Sequence, residues 1–164
     1  MNKQYYISEA KRAASIQINE LKKIKKIFNK SFIKAVDLIL NCKGKIIFAG
    51  IGKSGLIARK ISATFSSVGI PSFFCDPAQA LHGDMGQIEK KDILIIFSYS
   101  GNTSELTNMI KYANRYNIKI IGIASKPDSI LLKASDIKLI LPKVKESDVT
   151  GMVPTSSTSI TLLL

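Results

Sequence analysis

One stretch of this chain concentrates side chains that can hold an anion: Ser98-Tyr99-Ser100-Gly101-Asn102-Thr103-Ser104-Glu105. It follows an apolar run and precedes a helical pattern. Unpaired N–H groups and the positive end of a helix dipole make such a junction an anion site. The hydroxyls of Ser98, Ser100 and Thr103 can donate to phosphate oxygens without adding a permanent charge. Ser/Thr followed by Glu is also good capping chemistry, but capping accounts for one or two of these residues rather than the whole cluster.

A second loop, Gly50-Ile51-Gly52-Lys53-Ser54-Gly55, satisfies G-x-G-x-x-G between a strand and a helix. Asp76 ends the next strand, where a dinucleotide site would place its ribose-binding acid. Lys53 argues for a different ligand, because a cation beside a helix N-terminus suits a compact anion or a reacting oxygen. The loop is not a Walker A motif, since Ile47 stands where its first Gly is required. Two further segments carry titratable groups. Ala80-Leu81-His82-Gly83-Asp84 holds the only histidine, and Lys143-Val144-Lys145-Glu146-Ser147 precedes the hydroxyl cluster Thr155-Ser156-Ser157-Thr158. Alone, Glu146 reads as a surface residue and the later cluster as a helix N-cap.

The elements that must position these loops are legible as alternating patterns. Apolar runs at 45–49, 72–75, 93–97, 118–123 and 137–141 read as strands. Helical patterns at about 54–68, 103–116 and 129–135 separate most of them. Such alternation predicts right-handed βαβ units, hence an α/β domain with a parallel sheet and helices on both faces. Ligands in that architecture bind beyond the carboxyl ends of the strands, after Phe48, Cys75, Phe97 and Leu141. Residues 4 to about 41 read as helix in two pieces, with Ile16, Leu21, Ile24, Ile27, Phe28, Phe32, Val36 and Ile39 on one face. The expected division is an N-terminal helical region, 1–41, packed on a ligand-binding domain, 42–164.

Composition narrows the function classes. The 164 residues carry a net charge of +12, but residues 1–45 hold eleven Lys/Arg against three Asp/Glu, or +8. The excess is therefore a solvated helix face, with no nucleic-acid signature beside it, and it favours anionic substrates. Cys42 and Cys75 form neither a metal spacing nor a disulfide framework, which fits a reduced cytoplasm. No run approaches the roughly 20 apolar residues of a membrane span, and the polar N-terminus lacks a signal peptide.

Taken together, the motifs resemble those of the sugar isomerase (SIS) domain family, and within it they are most similar to the arabinose 5-phosphate isomerases. The carriers are GIGKSGLIARKISATFSSVGIPSFF, HGDMG, SYSGNTSEL and GMVPTSST. The resemblance implies a three-layer sandwich around a five-stranded parallel, flavodoxin-like sheet, preceded by the N-terminal helices. It also implies interconversion of ribulose 5-phosphate and arabinose 5-phosphate through a cis-enediolate, in the service of Kdo and lipopolysaccharide synthesis. Lys53, Glu105 and Glu146 fall on positions the family treats as catalytic, and His82 on a substrate-contacting one. Gly69 and Ile70, and Pro142, Lys143 and Val144, match further substrate contacts. Ser98, Ser100 and Thr103 match the phosphate cradle.

Either Glu105 or Glu146 would serve as the base, Lys53 would stabilise the enediolate oxygen, and His82 would assist ring opening or shuttle a proton between O1 and O2. No cofactor is required. The family's H-P-G-E segment, whose His can bind zinc, is replaced here by Asp76-Pro77-Ala78-Gln79, which leaves Asp76 as a weak metal candidate. The chain also ends before the family's S-H-P-G-G segment and its two cystathionine-β-synthase-type domains, so the domain is expected to be incomplete at its C-terminus. A bare Leu162-Leu163-Leu164 and the apolar N-terminal helices lead us to expect a homo-oligomer, a dimer or tetramer.

Overall fold

The computed structural model describes residues 3–164. Five strands carry the architecture: β1 (Ile46–Gly50), β2 (Ser72–Phe74), β3 (Ile93–Phe97), β4 (Lys119–Ala124) and β5 (Ile137–Ile140). All pair in parallel, in the order β2-β1-β3-β4-β5. This is the expected flavodoxin-like order. Its topological switch lies between β1 and β3, so a crevice opens where their following loops diverge.

The alternation of side chains explains the layers. Ile47, Ala49, Leu94, Ile96, Ile120 and Ala124 point to one face, where Leu106, Met109 and Leu131 cover them. Ile46, Phe48, Ile93, Ile95, Phe97, Ile121 and Ile123 point to the other, against Ala35, Ala58 and Ile160. With both faces covered, β1 and β3 are buried throughout, which is why each reads as an unbroken apolar run. Each large side chain removed from water this way contributes about 1.5–3 kcal/mol, and the sheet forms a stiff platform for its loops.

The helices are α1 (Lys3–Leu21), α2 (Lys30–Leu40), α3 (Gly52–Ser67), α4 (Leu106–Arg115), α5 (Ile130–Ala134) and α6 (Ser156–Leu163). The N-terminal region differs from the two-helix expectation, because a 3-10 helix, Lys22–Ile27, links α1 to α2. In a 3-10 helix residues three apart eclipse one another. The spacing of Ile24 and Ile27 therefore turns both into the core, while Phe28 falls outside at 49% exposure. Nothing in α1 is fully buried, yet α1 packs on α6 and hydrogen-bonds the loop at Lys145 and Ser147. Asn29 caps α2 by accepting the Ser31 N–H at 2.8 Å.

Candidate functional site

The loop after β1 is shaped by a close approach. A Cβ on Gly55 would lie 2.6 Å from the Gly50 carbonyl oxygen, so only glycine lets the start of α3 sit against the end of β1. That contact fixes the first turn of α3, from which exposed Lys53 projects. Among the described residues, no carboxylate lies within ion-pair distance of its ammonium.

The serine turn after β3 is tighter than expected. Helix α4 begins at Leu106 rather than near residue 103, because the hydroxyls bond one another. Buried Ser98 Oγ accepts the Gly101 N–H at 3.0 Å and lies 2.8 Å from Thr103 Oγ1. Ser100 Oγ accepts the Asn102 N–H at 3.3 Å. Gly101 has φ +70°, and an added Cβ would meet Ser129 Oγ at 2.2 Å. Gly101→Ala is therefore expected to destabilise the domain by about 2–4 kcal/mol in urea unfolding, from left-handed strain plus overpacking. An unchanged midpoint would show that the turn tolerates a side chain. Glu105 precedes α4, exposed, and accepts from Ser104 Oγ at 2.8 Å. Its own backbone N–H and the Ser104 hydroxyl hold its carboxyl below the ordinary range.

Glu146 is half-buried, which corrects its reading as a surface residue. Its Oε2 accepts from Thr155 N at 2.7 Å, Thr155 Oγ1 at 2.9 Å and Ser157 N at 3.2 Å. The carboxylate thus caps α6 from nine residues upstream, a role that Thr155's own side chain does not fill. Burial acts to raise the Glu146 pKa, but the bonds from Ser157 and Thr155 outweigh it and hold the group below its ordinary value.

The segment that carries Glu146 is irregular and is held from three sides. From α1, Arg12 Nη2 donates to Ser147 O at 3.2 Å, Gln17 Nε2 to Ser147 Oγ at 3.1 Å, and Glu20 Oε2 accepts the Lys145 N–H at 3.0 Å. From α6, Thr155 Oγ1 accepts the Ser147 N–H at 2.8 Å. From the serine turn, Tyr99 Oη accepts the Val144 N–H at 3.1 Å and donates to Pro142 O at 3.4 Å.

These loops enclose a cleft of about 330 Å³. Lys53 and Ser54 line it from α3, Tyr99 from the serine turn, Glu146 from the loop after β5, and Ser157 and Thr158 from α6. One cation, one carboxylate and several hydroxyls in a part-enclosed space at the switch point can bind a polyhydroxylated anion and move a proton within it. A second cleft of about 440 Å³ adjoins on the other side of Lys53, with Arg59 and Asp76 on its walls. Arg59 stacks there on the Phe74 ring at 4.2 Å.

Of the residues singled out by motif, Lys53 and Glu146 meet in the first cleft. His82 and Glu105 are exposed and do not line it. His82 ends the 3-10 helix Gln79–His82, before Gly83 at φ +126°. Pro142 and Val144 approach through the Tyr99 hydroxyl, while Lys143 is exposed. Gly69 and Ile70 lie at the amino end of β2, in a shallow depression with Lys45 and Pro71, at the opposite edge of the sheet. Motif reading passes over Tyr99. A single Tyr among serines gives no sign that its hydroxyl reaches a segment 45 residues away.

Asp76 turns one carboxylate oxygen back onto its own loop. Its Oδ1 accepts the Ala78 and Gln79 N–H groups at 2.9 and 3.5 Å. Nearby Cys75 is a protonated thiol, pushed up to about 11 by burial, with the charges of Asp84 and Asp76 adding to the effect. Among the described residues, no three His, Cys, Asp or Glu side chains are grouped to hold a metal.

Comparison with known proteins places this arrangement. The SIS domain model matches residues 39–164. The Rickettsia prowazekii protein RP505 is 42% identical over 164 residues, covering 100% of this chain and 51% of its own length. Arabinose 5-phosphate isomerase KdsD of Escherichia coli K12 is 39% identical over 154 residues, 94% of this chain and 47% of KdsD. The chain thus spans about half the length of the curated relatives it matches. An Escherichia coli CFT073 protein solved in complex with arabinose 5-phosphate superimposes with a TM-score of 0.94 at 31% identity, covering 99% of this chain and 87% of that one. With its sheet order, its glycine and serine loops and most of its length accounted for, this chain belongs to the SIS domain family.

Proposed function

We propose that this domain binds a phosphorylated pentose and interconverts D-ribulose 5-phosphate and D-arabinose 5-phosphate through a cis-enediolate. The observation that carries the reading is the meeting of Lys53, from the first turn of α3, and Glu146, from the loop after β5, in one hydroxyl-lined cleft beside the serine turn. Relatives bearing the arabinose 5-phosphate isomerase name support the choice of substrate, as does the neighbour solved with arabinose 5-phosphate. The product would supply Kdo and lipopolysaccharide synthesis, and the protein would assemble from two or four copies. No described helix is long and apolar enough to cross a membrane.

In the reaction, a carboxylate takes the C1 proton of the ketose and returns a proton to C2, or the reverse. Glu146 and Glu105 are the two carboxylates proposed for this work, and Glu146 stands in the cleft. Lys53 would stabilise charge developing on the enediolate oxygens, an electrostatic term of the size seen for single oxyanion donors, roughly 3 kcal/mol. The phosphate would be gripped by the turn bearing Ser98, Ser100 and Thr103, where regrouped hydroxyls exchange partners for its oxygens. His82 would assist ring opening. A fixed phosphate confers orientation, which replaces a search by collision.

One observation favours a second reading. Glu146 is spent on capping α6 and held below its ordinary pKa, as suits a module that binds a phosphosugar without turning it over. Incubation with ribulose 5-phosphate in deuterium oxide separates the two. Isomerisation predicts arabinose 5-phosphate labelled at C2. Thermal stabilisation by the sugar phosphate with no label would leave the binding module instead.

A further inference from the structure

Tyr99 stands apart from the serines that flank it. Its ring packs in the core on the α2, α3 and α6 face of the sheet, and its main chain is pinned. Ser125 donates to the Tyr99 carbonyl from both N, at 2.9 Å, and Oγ, at 2.7 Å. The base of the side chain is therefore as rigid as the β3 and β4 ends it joins. The tip reaches the loop after β5, which has no regular backbone structure of its own, and bonds it on both sides of Lys143. Two residues beyond Val144 comes Glu146, which shares the cleft with the Tyr99 ring.

We infer that Tyr99 is the positioning residue for Glu146: its hydroxyl locks the 142–144 backbone to the rigid β3–β4 edge and so places the Glu146 carboxylate in the cleft. The inference rests on the isomerase reading for its effect on turnover, but not for its effect on the loop. A core aromatic alone would explain a Phe. It does not explain a hydroxyl accepting one loop N–H and donating to a carbonyl two residues earlier. The other ties on this segment come from α1 and α6 and hold residues 145–147. Without the Tyr99 tie the 142–144 backbone loses its side-chain anchor to the β3–β4 edge and can shift, carrying Glu146 with it. A displacement of about 1 Å at a reacting group costs up to roughly 100-fold in rate.

Among the described residues, the charged groups around the Glu146 loop are Lys53 from α3, which shares the cleft, Arg12 and Glu20 from α1, bonded to Ser147 O and the Lys145 N–H, and Lys145 itself, with the Tyr99 phenol beside them. Burial raises the Tyr99 pKa, and the Glu146 charge adds to the rise, so the phenol stays protonated as the tie requires.

The test is Tyr99→Phe, which keeps the ring and its packing. Amide exchange at Val144 should lose its protection. The Glu146 carboxyl, followed by carbon-detected NMR titration, should move up toward its ordinary value as its place against Thr155 and Ser157 loosens. If the wild type isomerises, kcat should fall roughly 10- to 100-fold with KM changed less than about twofold, and the acid limb of the kcat profile should move to higher pH. If the wild type binds phosphosugar without turnover, the function proposal fails, while Val144 exchange and the Glu146 titration still decide the role of Tyr99. Unchanged Val144 protection together with an unchanged Glu146 titration would overturn it.

Discussion

Under the proposed pentose phosphate interconversion, Lys53→Met is expected to lower kcat by about 100-fold or more, the usual consequence of losing one donor to a developing oxyanion. The fold should be indifferent to the change. Lys53 is exposed at the start of α3 and forms no ion pair among the described residues. Met retains the length of the stem and a similar helix propensity. The melting temperature should therefore stay within about 2 °C, since surface substitutions of this kind fall within about ±0.5 kcal/mol. The contrast between a large kinetic loss and a small thermal one is what identifies Lys53 as part of the chemistry. Turnover retained within about threefold would remove it from the site and leave the Gly50–Gly55 loop with a structural role alone.

Glu146→Gln is expected to act on both rate and stability, because its carboxylate caps α6 and is also one of the two proposed bases. As the base, its loss should cut kcat roughly 100- to 10,000-fold, with substrate binding weakened far less. As the cap of α6, its loss should cost about 0.5–2 kcal/mol in unfolding free energy. The amide oxygen can still accept a bond, but it no longer opposes the helix dipole with a charge. If Glu146→Gln lowers stability and leaves kcat untouched, the base is elsewhere. Glu105→Gln should then carry the kinetic loss.

The pH dependence has a definite sign. The ordinary glutamate value is 4.5, and Glu146 is held below it in the folded chain. The unfolded chain therefore takes up the proton first as pH falls. The stabilisation from this carboxylate is complete above about pH 4.5 and is lost as pH drops through its lower, folded value. Urea unfolding between roughly pH 3 and 6 should show the difference between wild type and Glu146→Gln shrinking toward acid. A difference that stays constant across that range would show that the charge does not contribute to the cap. If Glu146 is the base of the proposed reaction, the acid limb of turnover should for the same reason lie below the usual glutamate range.

Lys53 and Glu146 are both visible in the sequence as residues of interest, but for unequal reasons. Lys53 sits in a glycine loop whose spacing carries its own geometry, so its place at the start of α3 can be anticipated. Glu146 sits in an irregular loop with no local pattern, and only the motifs around it draw attention to it. The serine turn is legible as a junction, but its spacing misplaces the helix start. Its hydroxyls satisfy one another before α4 begins, and that choice of partners is not a matter of spacing. The N-terminal helices illustrate the same limit: a 3.6-residue repeat reads through Lys22–Ile27, whereas a three-residue spacing of isoleucines supports a tighter helix equally well.

What the sequence determined by itself is the set of strands, the places where they end and the chemistry of the loops that follow. Runs buried on both faces must be apolar along their whole length, and glycine and hydroxyl residues must punctuate them, so both features are written in local composition. What only the tertiary structure decided is which loops share a cleft. The Tyr99 hydroxyl meets Val144, the Glu146 carboxylate meets Thr155 and Ser157, and α1 meets Ser147. Each of these is a directional bond between segments that are remote or unpatterned in sequence. Such bonds leave no periodic trace, because they depend on where the packed sheet and helices bring two polar atoms within about 3 Å of each other.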